Sequence, residues 1–246
     1  MSEIMKLTVI KSAVGNKIVN PDSAGYYKVT LGAFNVRNSS GDVYMFAGIP
    51  ELLKDKTSVF NRRLLAGRLR AEAEHPGREP GMTDEQFIMR NFKILTTQSC
   101  AHIKEITIKE TNSSENIPGV GNIVLVEGLV RPSGQYGVGL KSSLDNPDED
   151  TCFSVRSITQ DTPNGLHVIK RVRHLITWDW INEPGIKYAS KLGKPAVESE
   201  DLQSFIPEDL TLVDTNFGCS TEANDQFECV NELIEIERAA DIVSKW

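Results

Sequence analysis

Apolar and polar residues alternate most regularly over residues 26–36, where Tyr27, Val29, Leu31 and Ala33 fall on one side of an extended chain. Shorter runs of the same kind predict strands at 7–11, 102–109 and 122–131, with Pro118-Gly119-Val120-Gly121 as the turn between the last two. Two further strands are predicted at 152–159 and 166–180, on either side of Pro163-Asn164-Gly165. Asn-Gly is the strongest short hairpin signal because both residues tolerate positive φ. Helical signals lie between the strands. Pro50 opens a helix through Glu51-Leu52-Leu53, residues 58–69 carry helical spacing, and Thr83-Asp84-Glu85-Gln86 has the form of a capping box. Residues 38–42 and 76–81 are turn-rich, and 145–150 form an acidic loop. The pattern predicts an α+β protein: a β-rich barrel or curled sheet flanked by helices.

The last 48 residues break this pattern. Residues 199–246 hold twelve Asp/Glu and two Lys/Arg, a net of −10, so with a formal total of −7 residues 1–198 carry +3. A near-neutral body with an acidic tail lacks the basic face that nucleic-acid binding needs. Within the tail, Val230, Leu233, Ile234 and Ile236 cluster on one side of a predicted amphipathic helix at 228–243. No apolar run is long enough for a membrane span, and residues 1–6 lack a secretory apolar region, so synthesis in a cytoplasm without membrane attachment is expected. Cys100, Cys152, Cys219 and Cys229 follow no metal spacing and are expected to be free thiols. The four histidines are scattered and no phosphate-binding loop is present, so neither metal nor cofactor is expected.

The candidate chemistry rests on a serine and a histidine. Serine becomes nucleophilic at neutral pH when a base takes its proton, and that base must be held in one tautomer. Ser154 shares a strand face with Cys152, Arg156 and Ile158. Arg156 is thereby placed to support negative charge on a tetrahedral intermediate, although an ordinary strand serine beside an arginine has the same pattern. His75 precedes Pro76, whose ring restrains the backbone before it; a histidine ending a helix is the plainer alternative. There is no Gly-x-Ser-x-Gly elbow.

Residues 71–76 read Ala-Glu-Ala-Glu-His-Pro, residues 152–157 read Cys-Phe-Ser-Val-Arg-Ser, and residues 178–184 read Trp-Asp-Trp-Ile-Asn-Glu-Pro. Together they resemble the procapsid (prohead) maturation proteases of T-even-type tailed phages, which are distantly similar to herpesvirus assembly proteases. In that family Glu-x-x-His-Pro carries the catalytic histidine and Ser-x-Arg the serine. The resemblance covers about residues 38–189 and implies a herpesvirus-protease-like domain over 1–198 followed by the tail at 199–246. It implies Ser154 as nucleophile, His75 as base, Glu72 as a structural acid, and Arg156 or nearby backbone N–H groups at the oxyanion. Asp179 matches the family's Asp-x-x-x-x-Pro element as third member. His174 is its rival, because herpesvirus proteases use a histidine there.

Asp179 poses a geometric problem. With Asn164-Gly165 as a tight turn, strict pairing sets Ser154 opposite Leu175 and leaves Asp179 four residues away, about 13 Å along the strand. A bulge or longer loop is needed. The sequence also departs from the family pattern at Asn38–Tyr44, which lacks an arginine, and at Ala71 and Ser157, where glycines are common.

The implied activity is cleavage of scaffold, capsid and the chain itself, after glutamate, by a homo-oligomer inside the procapsid in the host cytoplasm. Such specificity asks for a basic pocket, with Arg62, Arg63, Arg78 and Arg131 as candidates. Ala196-Val197-Glu198 and Leu233-Ile234-Glu235 are matching sites in or beside the tail, which is then expected to be a removable propeptide or docking segment. A non-catalytic virion assembly protein with the same fold is the alternative, and the intact His75 and Ser154 contexts weigh against it.

Overall fold

The computed structural model describes residues 18–111, 115–165 and 167–193. The strand predicted at 7–11, the tail at 199–246 with its helix, Cys219 and Cys229 lie outside them. Along the described chain run β1 (Tyr27–Phe34), β2 (Val43–Met45), α1 (Ile49–Lys54), α2 (Val59–Leu65), β3 (Arg70–Glu72) and α3 (Asp84–Phe92). They are followed by β4 (Ser99–Thr111), β5 (Ile123–Pro132), α4 (Gly137–Asp145), β6 (Cys152–Asn164) and β7 (His167–Ile181). None of the described helices is long and apolar enough to cross a membrane.

The strands form an antiparallel sheet ordered β1-β5-β4-β3 and a second sheet ordered β2-β7-β6. The sheets meet at two seams. At one, Ala73 just beyond β3 bridges Trp180 of β7; at the other, Ser190 bridges Cys152 of β6 and accepts a hydrogen bond from the Thr30 amide of β1. Each seam is an isolated bridge, so the described strands make two sheets and, of the two expected forms, barrel or curled sheet, a closed barrel does not form among them. One reason is local. Glu74 leaves the extended region at φ 65°, one residue after the Ala73 bridge, and no ladder can continue from there.

The core lies between the sheets. Tyr27, Val29, Leu31 and Ala33 are buried as their alternation predicts. Trp178 is fully enclosed, with Phe60 of α2 edge-on at 5.9 Å. Gly32 lets β1 approach that indole: a Cβ there would stand 3.2 Å from Trp178 Nε1.

Pro50 lies in the first turn of α1. Both halves of the Thr83–Gln86 capping box are present at α3. Ser58 caps α2, which ends at Leu65 and not at residue 69, because Gly67 turns left-handed at φ 64°. Helix α4 had no signal in the sequence. Its glycines make poor helix but permit close packing, with Gly139 against the Trp180 ring and Gly137 against the Pro132 backbone. Lys191 then donates to the terminal carbonyls of Ser143 and Asn146 at 2.8 and 2.6 Å, satisfying groups a helix end leaves orphaned.

The β6–β7 hairpin settles the register. Asn164 pairs with His167, so the two-residue turn is one position later than Asn164-Gly165 would make it. That shift moves each partner by two residues. Two irregularities, between Ile158 and Thr159 and between Arg156 and Ser157, each add one more residue on β7. Two plus one plus one makes the four residues that were missing, and Ser154 stands opposite Asp179.

Candidate active site

Three neighbouring segments bring the chemistry together. Ser154 of β6 and Asp179 of β7 are direct cross-strand partners, which sets their side chains on one face with Cβ atoms about 4.5–5.5 Å apart. On the other side of β7, the Glu74 amide donates to the Trp180 carbonyl at 2.8 Å. The left-handed turn at Glu74 then aims the next side chain back at β7, and His75 Nδ1 lies 2.9 Å from Asp179 Oδ2. A carboxylate accepts, so Nδ1 carries the proton and Nε2 is left as the basic nitrogen. His75 Nε2 and the Ser154 hydroxyl make no hydrogen bond among the described residues, to each other or elsewhere. Asp179 is fully buried, whereas the His75 side chain is 41% exposed. The base faces solvent while its anchor does not.

Below the imidazole lies a compact charge network. Arg156 Nε and Nη2 each reach an Asp179 oxygen at 2.7 Å, a bidentate pair. Nη2 also donates to Glu72 Oε2 at 2.9 Å, and Nη1 donates to the Lys93 and Asn91 carbonyls. Arg90 of α3 donates to both Glu72 oxygens, and the Leu95 amide donates to Glu72 Oε1. The Glu72 amide in turn donates to Asp179 Oδ1 at 3.0 Å. Glu72 is 1% exposed and Arg156 2%. Burial alone would lower the Arg156 pKa, but the Asp179 and Glu72 carboxylates outweigh it and hold the guanidinium above its ordinary value. Two carboxylates face two guanidinium groups, so the network is neutral when His75 is neutral.

This corrects one expectation. All five N–H groups of Arg156 have protein acceptors, so its guanidinium has no donor for an oxyanion; its partners make it a support for Asp179 and Glu72. His174 is also removed from the site. It pairs with Ile158, is exposed, and packs against the Phe92 ring at 5.5 Å.

A family pattern described as the Peptidase S80 family matches residues 5–241. The chain belongs to that family. Over 217 residues it is also 36% identical to a protein of Pseudomonas phage phiKZ named capsid maturation protease, covering 86% of this chain and 77% of the relative. No solved structure matches the S80 chain, so the likeness to herpesvirus assembly proteases rests on the motifs alone.

Other groups in this S80 chain are less suited to chemistry. Burial pushes the Cys100 thiol up to about 12, with the Asp179 charge adding to it; burial, then Asp150, does the same to Cys152. Both stay protonated and non-nucleophilic at neutral pH. His102 is held through both ring nitrogens, at 3.0 Å from Tyr26 Oη and 3.0 Å from the Gly67 carbonyl. His167, which reads as a surface residue, is half-buried with its ring over Gly41. No metal-binding cluster occurs among the described residues.

Of the basic-pocket candidates, Arg62 and Arg63 line one cleft together with Arg68 and Arg70. Arg78 is paired with Asp84, and Arg131 lies exposed on β5 opposite His102. Arg68, Arg70 and Arg90 were not singled out by the sequence. Arg90 sits in a helix whose pattern gives no hint that it reaches a buried acid.

Proposed function

We propose that this S80 chain is a serine endopeptidase of phage head maturation, which cleaves scaffold, capsid protein and itself after glutamate. The observation that carries the reading is the His75–Asp179 contact with Ser154 directly across the ladder. Ser154 Oγ attacks the scissile carbonyl carbon while His75 Nε2 takes its proton. The resulting imidazolium is stabilised by Asp179, which Arg156 and the Glu72 amide hold in place. As the C–N bond breaks, His75 returns the proton to the departing amine, leaving an acyl ester on Ser154. Water, deprotonated by His75, then hydrolyses that ester and restores the serine.

The head-maturation role is supported by the phiKZ relative's name, and glutamate specificity by the arginines beside the site. Residues 199–246 are then a removable propeptide or docking segment, with Glu198 and Glu235 as candidate cleavage positions. The test follows the intact mass of wild type and Ser154→Ala over time, alone and with capsid and scaffold protein. Loss of a C-terminal fragment after a glutamate in wild type only is the expected result. Wild type that leaves itself, capsid and scaffold uncut would overturn the reading.

A further inference from the structure

A cleft of about 540 Å³ outside the Ser154–His75–Asp179 cluster opens between α2, β3 and the loop after α3. Four arginines line it, Arg62, Arg63, Arg68 and Arg70, with Ile94 and Thr96 on the loop side. None of the four forms an ion pair with a described carboxylate, although Arg78, Arg90 and Arg156 all do. Arg63 is the most telling. Nη2 donates to the Phe92 carbonyl at 2.7 Å, but Nη1 is buried with no hydrogen-bond partner among the described residues. Burial, then the charges of Arg156 and Arg62, pull its pKa below the ordinary arginine value. Uncompensated like charge around a cavity opposes folding, and it is relieved when an anion binds.

We propose that this cleft binds an acidic stretch of substrate polypeptide, engaging two or more carboxylates at once. One carboxylate is satisfied by a single bidentate guanidinium. Four arginines without a carboxylate partner among the described residues exceed what one glutamate side chain needs, even with Arg70 Nη1 donating to the Ser99 and Ser133 hydroxyls. Nucleic acid is the other polyanion, but the cleft has no aromatic side chain for base stacking, and residues 1–198 carry a net of only +3.

The cleft adjoins the catalytic cluster through two connections. Arg63 and Arg156 hold the consecutive carbonyls of Phe92 and Lys93, and Arg70 lies two residues before Glu72 on β3. A chain seated in the cleft would thus lie against elements that also hold Glu72 and Arg156. The identity of the ligand as substrate rests on the peptidase reading, whereas the binding itself does not.

The experiment uses the full chain carrying Ser154→Ala, so binding is read whether or not the protein cleaves anything. A fluorescein-labelled hexaglutamate peptide is titrated and followed by anisotropy at low and high salt. Arg62→Glu/Arg68→Glu, at two exposed positions, should weaken binding by at least about tenfold. Lys109→Glu, at an exposed position on β4, should leave it within about twofold. A peptide with one glutamate among alanines should bind at least about tenfold more weakly than hexaglutamate. Equal binding of the two peptides, or no loss in the double variant, would overturn the proposal. So would a hexathymidylate oligonucleotide that binds more tightly than hexaglutamate and loses affinity in the same double variant. In the active chain, the same double variant should raise KM for an acidic substrate.

Discussion

Two arginine-rich regions lie within two residues of each other along β3 and treat charge in opposite ways. Around Glu72, every guanidinium is matched: Arg156 and Arg90 face Glu72 and Asp179, and all five Arg156 donors have acceptors. Around Arg70, four guanidinium groups face a cavity with no described carboxylate paired to them. A buried matched network fixes geometry, because removing either partner strands a charge away from water. An unmatched cluster at an open cleft keeps its binding capacity for something that arrives later. On the proposed reading, the difference separates a part that positions a base from a part that selects a ligand.

Replacing residues in each region tests that division, and the largest effect belongs to the matched side. Asp179→Asn should lower kcat by about 10⁴-fold, because an amide no longer holds His75 in one tautomer and no longer stabilises the imidazolium. A loss in KM only would move Asp179 out of the reaction. Next, Arg156→Met removes the only described guanidinium on buried Asp179 and one of two on Glu72, and should cost about 3–5 kcal/mol of unfolding free energy in urea denaturation. Arg68→Met, on the unmatched side, should change stability by no more than about 0.5 kcal/mol. Equal losses in the two variants would erase the distinction between the regions.

Smaller effects sharpen the boundary. Glu74→Gly removes a left-handed, non-glycine residue and should stabilise the fold by about 1 kcal/mol or less, since glycine also loosens the unfolded chain. Lower stability would mean that the Glu74 side chain makes a contact of its own. Iodoacetamide at pH 8 should leave Cys100 and Cys152 unmodified in the native chain, because thiols pushed up to about 12 form almost no thiolate there. Rapid alkylation of Cys152 together with loss of hydrolysis would favour a thiol mechanism over Ser154.

Much of this was readable in the sequence, and the reasons differ by element. The capping box at Thr83 and the proline at α1 are local signals with local causes, and they sit where the residues predict. Strand β1 was readable from its alternating apolar residues, but its burial does not alternate: Thr30, Gly32 and Phe34 on the other face are buried too, because both faces are covered. Helix α4 was invisible because tertiary contacts, including Lys191 at its end, compensate for poor helix formers. The His75, Ser154 and Asp179 positions came from motif resemblance; their juxtaposition did not. It depends on a turn shifted by one residue and two bulges, which no residue type announces. Arg156 was legible as a neighbour of Ser154, but its partner Glu72 comes from a strand 84 positions earlier in sequence. Long-range pairing of that kind decides whether an arginine meets an oxyanion or a buried acid.

On the proposed mechanism, Ser154 is made nucleophilic by His75, which Asp179 holds. A fluorophosphonate probe tests it most directly, since an activated serine displaces fluoride and keeps the phosphonyl group. The native chain, His75→Ala and Asp179→Asn would each be treated with the probe and then mapped by peptide mass spectrometry. One adduct is expected, on Ser154, absent from His75→Ala and much slower to form in Asp179→Asn. An adduct on Ser157 or any other residue, or equal labelling of all three proteins, would contradict it.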